Sequence, residues 1–284
     1  MSGTVYPPLP RRFVSALGIR TAYYVAGRPN GRPVLLLHGM STSADSFRET
    51  MHALADSHWL IAPDIPGFGF SEHTTPYTLP HLVEWLAAFW QTLDLPPVAL
   101  VGHSFGGILA ASFAVAYPED VTHLLLVAPA ILSQAAFPDV VKKMGISLGL
   151  VDLGSAVSQS KVWLNRQIRA PFFAPDKQDE SVWERRLADY EHARASADVL
   201  KALAFHDVRP QLARLTQPVC LVWGENDPVV PVTDADKLVT LLPNAPVSQY
   251  VLSECGHVPM LEQQAVFQGI VRDFLAGKTA VSDE

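Results

Sequence analysis

The chain has 284 residues, of which 49% are apolar and 17% are charged. This length and composition favour one domain with an insertion, or two small domains, with a large core and little disorder. The formal net charge is −7 and no lysine and arginine block occurs, which argues against a nucleic-acid partner.

Features of the chain ends and of the cysteines bear on the compartment. Residues 1–12 are polar and proline-rich and lack the apolar stretch of a secretion signal. No apolar run approaches ~18 residues, so no membrane span is expected. Cys220 and Cys255 lie in or beside apolar strand candidates and are expected to be buried, reduced thiols rather than a disulfide. We therefore expect a cytoplasmic protein.

Short apolar runs and longer amphipathic runs alternate along much of the chain. The predicted strands cover residues 12–16, 20–26, 34–37, 59–62, 98–102, 124–127, 219–223 and 247–252. The predicted helices cover residues 46–56, 79–93, 108–117, 234–242 and 259–275, with Asp45 as the N-cap of the first. Leu17-Gly18 suits a hairpin turn between the first pair of strands.

The alternation from residue 34 to residue 127 predicts a parallel sheet with helices on both faces and right-handed crossovers. The pattern changes after Ala130, because residues 131–206 contain no clear strand and much helix-compatible sequence. A block of roughly 75 residues is too long for a structureless loop in a compact domain. We predict a core domain made of residues 1–129 and 207–284, with residues 130–206 inserted as a helical cap.

Residues 98–107 join an apolar strand candidate to a helix candidate through Gly102, Ser104 and Gly106. A serine on a sharp strand-to-helix turn has backbone angles that crowd a neighbouring Cβ atom, and glycines on either side remove that crowding. The hydroxyl then projects beside a helix N-terminus, where backbone N–H groups can receive negative charge. The context favours a nucleophile, although the pentapeptide alone also fits an ordinary turn.

A serine nucleophile needs a base, and the base needs a carboxylate that holds its tautomer. In an open parallel sheet such groups meet in the loops at the carboxyl ends of strands. The loop after the seventh predicted strand carries Glu225 and Asp227, and the loop after the eighth carries Glu254 and His257. His257 is the expected base; Asp227 is the expected acid, with Glu225 as its rival and Glu254 as a surface residue.

Several motifs occur together at the ends of these strands. They are His38-Gly39, Asp64-x-Pro66-Gly67-x-Gly69-x-Ser71, Gly102-His103-Ser104-Phe105-Gly106-Gly107, Gly224-Glu225-Asn226-Asp227-Pro228-Val229-Val230-Pro231 and Gly256-His257. With them the chain resembles the α/β-hydrolase superfamily, in its cap-bearing branch, over nearly all of its length. The resemblance implies an α/β fold with a mostly parallel central sheet, helices on both faces and an inserted helical cap. It specifies a substrate only weakly.

The resemblance also implies roles for individual residues. Ser104, Asp227 and His257 follow the chain order of the catalytic triad in this superfamily. The backbone N–H groups of Met40 and Phe105 are the expected oxyanion hole, positioned by the His38-Gly39 loop. The expected substrate-binding residues are His38, Gly39, Phe137, Trp163, Phe172, Val229 and Val258. His103 is expected to pack beside the turn rather than act as the base.

The expected reaction is hydrolysis of carboxylic esters of small molecules through an acyl-serine intermediate, as in carboxylesterases. Lactone, thioester and carbon–carbon bond hydrolysis stay open. The carbon–carbon hydrolases of ring-cleavage pathways typically carry Asn before the serine and Trp after the histidine, where this chain has His103 and Val258. A non-catalytic ligand-binding protein of the same fold is a further alternative, against which His257 argues.

No cofactor or metal is implied, and the expected partners are a small-molecule ester and water. A monomer and a homodimer both stay open. The spacing of Arg166 and Arg169 predicts that both lie on a solvated helix face. Alternatively, one of the two guanidinium groups binds an acidic group of the substrate. Lysines of the predicted cap leave a hydroxynitrile lyase open as well; they are Lys142, Lys143 and Lys161.

Overall fold

A sheet of eight strands forms the centre of the molecule, in the order β1-β2-β4-β3-β5-β6-β7-β8. The computed structural model describes residues 6–29, 31–132 and 161–278. The strands are β1 (Arg11–Ala16), β2 (Ile19–Ala26), β3 (Arg32–Leu37), β4 (His58–Pro63), β5 (Val98–His103), β6 (Val121–Val127), β7 (Val219–Gly224) and β8 (Val247–Leu252). β2 pairs antiparallel with β1 and β4, and all other neighbours are parallel. The predicted α/β architecture with a mostly parallel sheet is confirmed.

Helices cover both faces of the sheet. They are α1 (Arg48–Leu54), α2 (Leu79–Thr92), α3 (Phe105–Ala116), α4 (Lys161–Arg169), α5 (Glu180–Glu191), α6 (Ser196–Phe205), α7 (Thr233–Thr240), α8 (Pro259–Glu262) and α9 (Gln264–Leu275). Leu35 and Leu37 of β3 pack with α2 and α3 in one apolar cluster. Val34 and Leu36 pack with α1 and α9 in a second cluster. Because successive side chains of a strand point to opposite faces, the continuous apolar run of β3 contributes to both.

The first and the last predicted helix differ from the structure. The first predicted helix begins as a 3-10 turn, Ala44–Phe47, and Ser43 rather than Asp45 is its N-cap, because the Ser43 side chain accepts from the Asp45 N–H. The carboxylate of Asp45 instead pairs with Arg48 at 2.6 Å. The predicted closing helix divides into α8 and α9 at Gln263, whose φ of −129° and ψ of 55° interrupt the helical backbone.

Residues 161–206, which we call the cap segment, connect to the sheet domain through side chains of α5. Arg185 lies 3.2 Å from Asp45 and 2.6 Å from Glu49, both in the turn and helix that follow β3. The described residues of the cap segment are helical or irregular and include no strand. The boundaries of the core domain and of the cap stay predictions.

The structure also bears on two expectations, one about the cysteines and one about membrane-spanning helices. Cys220 and Cys255 are both free and buried, as predicted. Within residues 6–29, 31–132 and 161–278, every helix is too short or too polar to cross a bilayer.

Candidate active site

The turn at Ser104 follows β5 directly and begins α3. Its φ of 54° and ψ of −116° are strained for a residue other than glycine. The Ser104 N–H donates to the carbonyl of Val127 at 2.9 Å, which ties the turn to β6. A Cβ atom added to Gly102 would lie 2.5 Å from the oxygen of Gly106 and 2.8 Å from Cβ of Ala110. The glycine therefore allows the close passage of strand and helix that the sequence predicts.

An acid and an imidazole meet at the ends of β7 and β8. Nδ1 of His257 lies 2.7 Å from Oδ2 of Asp227, with both side chains almost inaccessible to solvent. The other oxygen, Oδ1, accepts the N–H groups of Val229 at 2.8 Å and Val230 at 2.9 Å. Both oxygens of Asp227 thus have fixed partners, whereas Glu225 is exposed. The structure places Asp227, and not its rival, beside the imidazole.

His103 connects the serine turn to the histidine loop. Its Nε2 lies 2.8 Å from the backbone oxygen of His257, and the centroids of the two rings are 4.7 Å apart. Burial lowers the pKa of His103 well below its ordinary value, so the ring is neutral and Nε2–H is the donor. A Cβ atom added to Gly39 would lie 2.9 Å from Nδ1 of His103 and 3.2 Å from Cβ of Ser104. Serine, histidine loop and the loop after β3 therefore converge at one place.

The loop after β3 is held by the buried side chain of His38. Nε2 of this ring accepts the Ile65 N–H at 2.9 Å, which leaves the proton on Nδ1, 2.8 Å from the oxygen of Gly39. The hydroxyl of Thr42 donates to the same oxygen at 2.9 Å. Burial lowers the pKa of His38 to about 4, so the ring stays neutral at neutral pH. His38 thus shapes the loop and does not face substrate as a charged group.

Two backbone donors beside Ser104 are available to a ligand. The N–H of Phe105 belongs to the first turn of α3, where no intrahelical acceptor exists. The N–H of Met40 follows Gly39 in the neighbouring loop, and neither donor has an acceptor among the described residues. An oxyanion hole at these donors stays a prediction, which this geometry supports.

The predicted pocket residues differ in burial. Val258 is buried and Val229 is 51% exposed. The ring of Phe172 is buried edge-to-face against Trp183, at a centroid distance of 4.8 Å. Lying outside the described residues are Phe137, Lys142 and Lys143, together with the side chains of Lys161 and Trp163.

The cap segment also contains a buried cation, Arg186, which the sequence analysis does not identify as a site residue. Arg166 is exposed, and the guanidinium of Arg169 lies over the Trp183 ring at 4.3 Å. Arg186 is 9% exposed, and its Nε has no hydrogen-bond acceptor among the described residues. Its charge contributes to the lowered pKa of His103, which places it within electrostatic reach of the serine turn.

A helical spacing could have identified Arg186. It lies one turn after Val182, on the buried face of α5. A cation on the apolar face of a helix departs from the amphipathic pattern and invites a search for its counter-charge. No group of three or more His, Cys, Asp or Glu side chains in the described part of the chain could hold a metal ion.

The sheet order, the strained serine at the end of β5 and the buried histidine–aspartate pair define the α/β hydrolase class. The family model described as the alpha/beta hydrolase fold matches residues 32–264, and the chain belongs to this family. It is 30% identical to the 2-hydroxy-6-oxo-2,4-heptadienoate hydrolase of Pseudomonas putida, over 94% of this chain and 96% of that protein.

Similarity extends to lipases. The chain is 26% identical to the human monoacylglycerol lipase ABHD6, over 93% of this chain and 82% of that protein. The crystal structure of a putative lipase from Acinetobacter baumannii superposes with a TM-score of 0.80 at 24% identity, covering 95% of this chain and 92% of that one. The relatives therefore include lipases and a 2-hydroxy-6-oxo-2,4-heptadienoate hydrolase, and the chain is a hydrolase of the α/β family.

Proposed function

We propose that the protein is a serine hydrolase that cleaves carboxylic esters of small molecules, with Ser104 as nucleophile, His257 as base and Asp227 as acid. The contact between Nδ1 of His257 and Oδ2 of Asp227, at 2.7 Å, carries the proposal. It keeps the proton of the neutral ring on Nδ1 and leaves Nε2 with the lone pair that can take the proton of the serine.

The reaction follows from these roles. Oγ of Ser104 attacks the ester carbonyl carbon while Nε2 of His257 takes the hydroxyl proton. The tetrahedral oxyanion accepts the N–H groups of Met40 and Phe105; the carbon–oxygen bond breaks, and the imidazolium protonates the leaving alcohol. Water then attacks the acyl-serine by the same route and gives its proton to Nε2, which returns it to Oγ. The product acid leaves, and Asp227 stays ionised throughout.

The pocket residues complete this proposal. The serine turn follows β5, and the loops after β3, β7 and β8 lie at the same edge of the sheet. We assign the selection of the acyl and alcohol groups to side chains of these loops and of the cap segment. The candidates remain those named above, Phe137, Trp163, Phe172, Val229 and Val258, with His38 and Gly39 shaping the oxyanion loop.

A serine substitution tests the proposal. Ser104→Ala is expected to lower kcat/KM for short p-nitrophenyl esters by about 10⁴-fold or more, because the nucleophile is removed. Ser112→Ala is the matched control: this buried hydroxyl of α3 has no hydrogen-bond partner among the described residues, so activity should be unchanged. Turnover retained in Ser104→Ala, or no covalent labelling of the native protein by a fluorophosphonate, contradicts the proposal; absent labelling would favour a non-catalytic binding protein.

Arg186 favours a second candidate, hydrolysis of a carbon–carbon bond in a substrate that bears a carboxylate. A buried guanidinium with an unpartnered Nε is suited to a planar anion, and a relative with 30% identity is named for a hydrolase of an oxo-dienoate. Lactones and thioesters fit the same triad without using this charge.

A substitution of Arg186 separates the candidates. Arg186→Gln is expected to lower kcat/KM about 10- to 100-fold for a vinylogous diketone acid, since a charge-assisted hydrogen bond is lost. The value for p-nitrophenyl acetate should change less than about threefold by the same reasoning. Arg214→Gln, which replaces an exposed arginine, is the control. Equal losses on the acid and on the neutral ester would mean that Arg186 supports the fold and does not select acids.

A further inference from the structure

The loop that carries His257 is hydrogen-bonded to residues 170–174 of the cap segment. The N–H of His257 donates to the carbonyl of Pro171 at 2.7 Å. One residue earlier, a Cβ atom added to Gly256 would lie 2.6 Å from the nitrogen of Phe173. The two backbones therefore touch at the residue that precedes the proposed base, in a contact that only glycine permits.

One carboxylate bridges the two backbones. Oε1 of Glu262 accepts the N–H of Gly256 at 2.9 Å, and Oε2 accepts the N–H of Phe173 at 2.7 Å. Burial raises the pKa of the Glu262 carboxyl, and the amide hydrogen bonds from Phe173 and Gly256 oppose that rise by favouring the charged form. Such paired, charge-assisted bonds are stronger than bonds between neutral groups.

Residues 170–174 are in turn anchored in the cap segment. The N–H of Ala170 donates to the backbone carbonyl of Arg166 at 2.9 Å, and the N–H of Phe172 donates to the backbone carbonyl of Arg169 at 3.1 Å. These bonds continue the end of α4. The Phe172 ring then packs on Trp183 of α5. A displacement of α4 and α5 is thereby transmitted to the carbonyl of Pro171 and to the amide of Phe173.

From these contacts we infer that Glu262 is a positioning residue for His257. Its carboxylate joins the histidine loop to residues 170–174, so that the imidazole is aligned between Asp227 and Ser104 when this part of the cap segment is docked. The inference depends on the proposed function, because it assigns Glu262 a role through the base of that reaction. Glu262 itself contacts backbone amides and does not contact the imidazole.

Misalignment of His257 is expected to lower kcat and to leave KM nearly unchanged. Small misplacement of a catalytic group costs up to about 100-fold in rate, whereas ground-state binding of an ester does not require an aligned base. A looser histidine loop also weakens the contact between His257 and Asp227, which stabilises the imidazolium.

The test compares two glutamates of one region. Glu262→Gln keeps the shape of the side chain but can accept only one of the amides, since its NH₂ group faces the other donor. We expect kcat for p-nitrophenyl acetate to fall about 10- to 100-fold with KM within about twofold. Glu254→Gln removes the same charge from an exposed position in the histidine loop and should behave as wild type.

Gly256→Ala is the second variant: its Cβ would lie 2.4 Å from the oxygen of Pro171 and 2.8 Å from Oε1 of Glu262, so that residues 170–174 and the carboxylate must both shift while the negative charge is kept. It should show the same loss of kcat. Rates are divided by the fraction of protein that a fluorophosphonate labels to completion, so that unfolded protein does not count.

The outcomes separate the positioning role from the proposed function. Ester turnover by the wild type and its loss in Ser104→Ala test the function without reference to Glu262. A lower melting temperature with unchanged kcat in Glu262→Gln and Gly256→Ala would overturn the positioning role alone. Loss of kcat with the same KM in both variants would support it.

Discussion

At the scale of single residues, the proposed base is held at several atoms by different parts of the chain. Asp227 contacts Nδ1, His103 contacts the backbone oxygen, and Pro171 accepts the backbone N–H of His257. His103, the residue before Ser104, therefore donates a hydrogen bond in addition to packing beside the turn. The sequence-based expectation that His103 packs beside the turn is incomplete, because a carbonyl 154 residues away cannot be inferred from local pattern.

Replacing His103 tests this contact. His103→Phe keeps a ring beside His257 but removes the Nε2–H donor, which leaves the carbonyl of His257 without its partner. An unsatisfied buried acceptor costs about 1–3 kcal/mol, so the free energy of unfolding should fall by that amount in urea titrations. Ester kcat/KM should fall about tenfold, because the histidine loop is less well fixed.

The control for this prediction is His123→Phe. His123 is a partly buried histidine at the start of β6, packed on the ring of Phe274 at 5.3 Å. Its replacement should leave kcat/KM unchanged. A His103→Phe enzyme with wild-type stability and activity would show that the donor contributes nothing.

At the scale of elements, α5 is fastened to the core by buried charged groups. Asp189 accepts the hydroxyl of Ser43 at 2.5 Å. Burial raises the pKa of Asp189 to about 7, with Ser43 and Arg186 opposing the rise and with Asp45 and Asp64 adding to it. Between pH 4 and pH 7 the folded protein therefore binds more protons than the unfolded chain, and stability falls as the pH increases through this range.

Asp189→Asn removes this dependence. The pKa of Asp189 is about 7 in the folded protein, against the ordinary aspartate value of 3.8 in the unfolded chain, and this difference corresponds to on the order of 4 kcal/mol. The variant should match wild type near pH 4 and exceed it in free energy of unfolding by up to that amount at pH 8, in urea titrations. Asp176→Asn, at a side chain that is 99% exposed, is the control. A variant that is less stable than wild type at pH 8 would show that the charged form of Asp189 is stabilising.

The sequence predicts the presence of strands and helices better than it predicts where they begin and end. Every predicted strand is present within a few residues, because buried apolar runs and the glycines that end them are local signals. The N-cap at Ser43 and the interruption at Gln263 depend on which side chain reaches which backbone group. Those contacts are decided by packing and not by periodicity.

At the scale of the whole molecule, the fold and the triad candidates could be predicted because parallel strands bring their carboxyl ends to one edge. Sequence order alone therefore placed Ser104, Asp227 and His257 in neighbouring loops. The proposed roles of Arg186 and Glu262 do not follow from strand order, because their contacts form only when the cap segment packs on the sheet domain. Phe172 stays a candidate pocket residue, and its ring packs edge-to-face on Trp183.

The three residues of the candidate triad are held in position by different parts of the chain. Asp227 is aimed by amides of its own loop, and Ser104 by the strand and helix that it joins. The histidine loop is hydrogen-bonded to a segment 89 positions earlier, between Phe173 and Glu262, and the loop after β3 is hydrogen-bonded to α5 through Ser43 and Asp189. Under the proposed function, a redesign of the substrate range should therefore leave residues 170–174 unchanged, together with Trp183 of α5 on which Phe172 packs, because these residues hold the histidine loop.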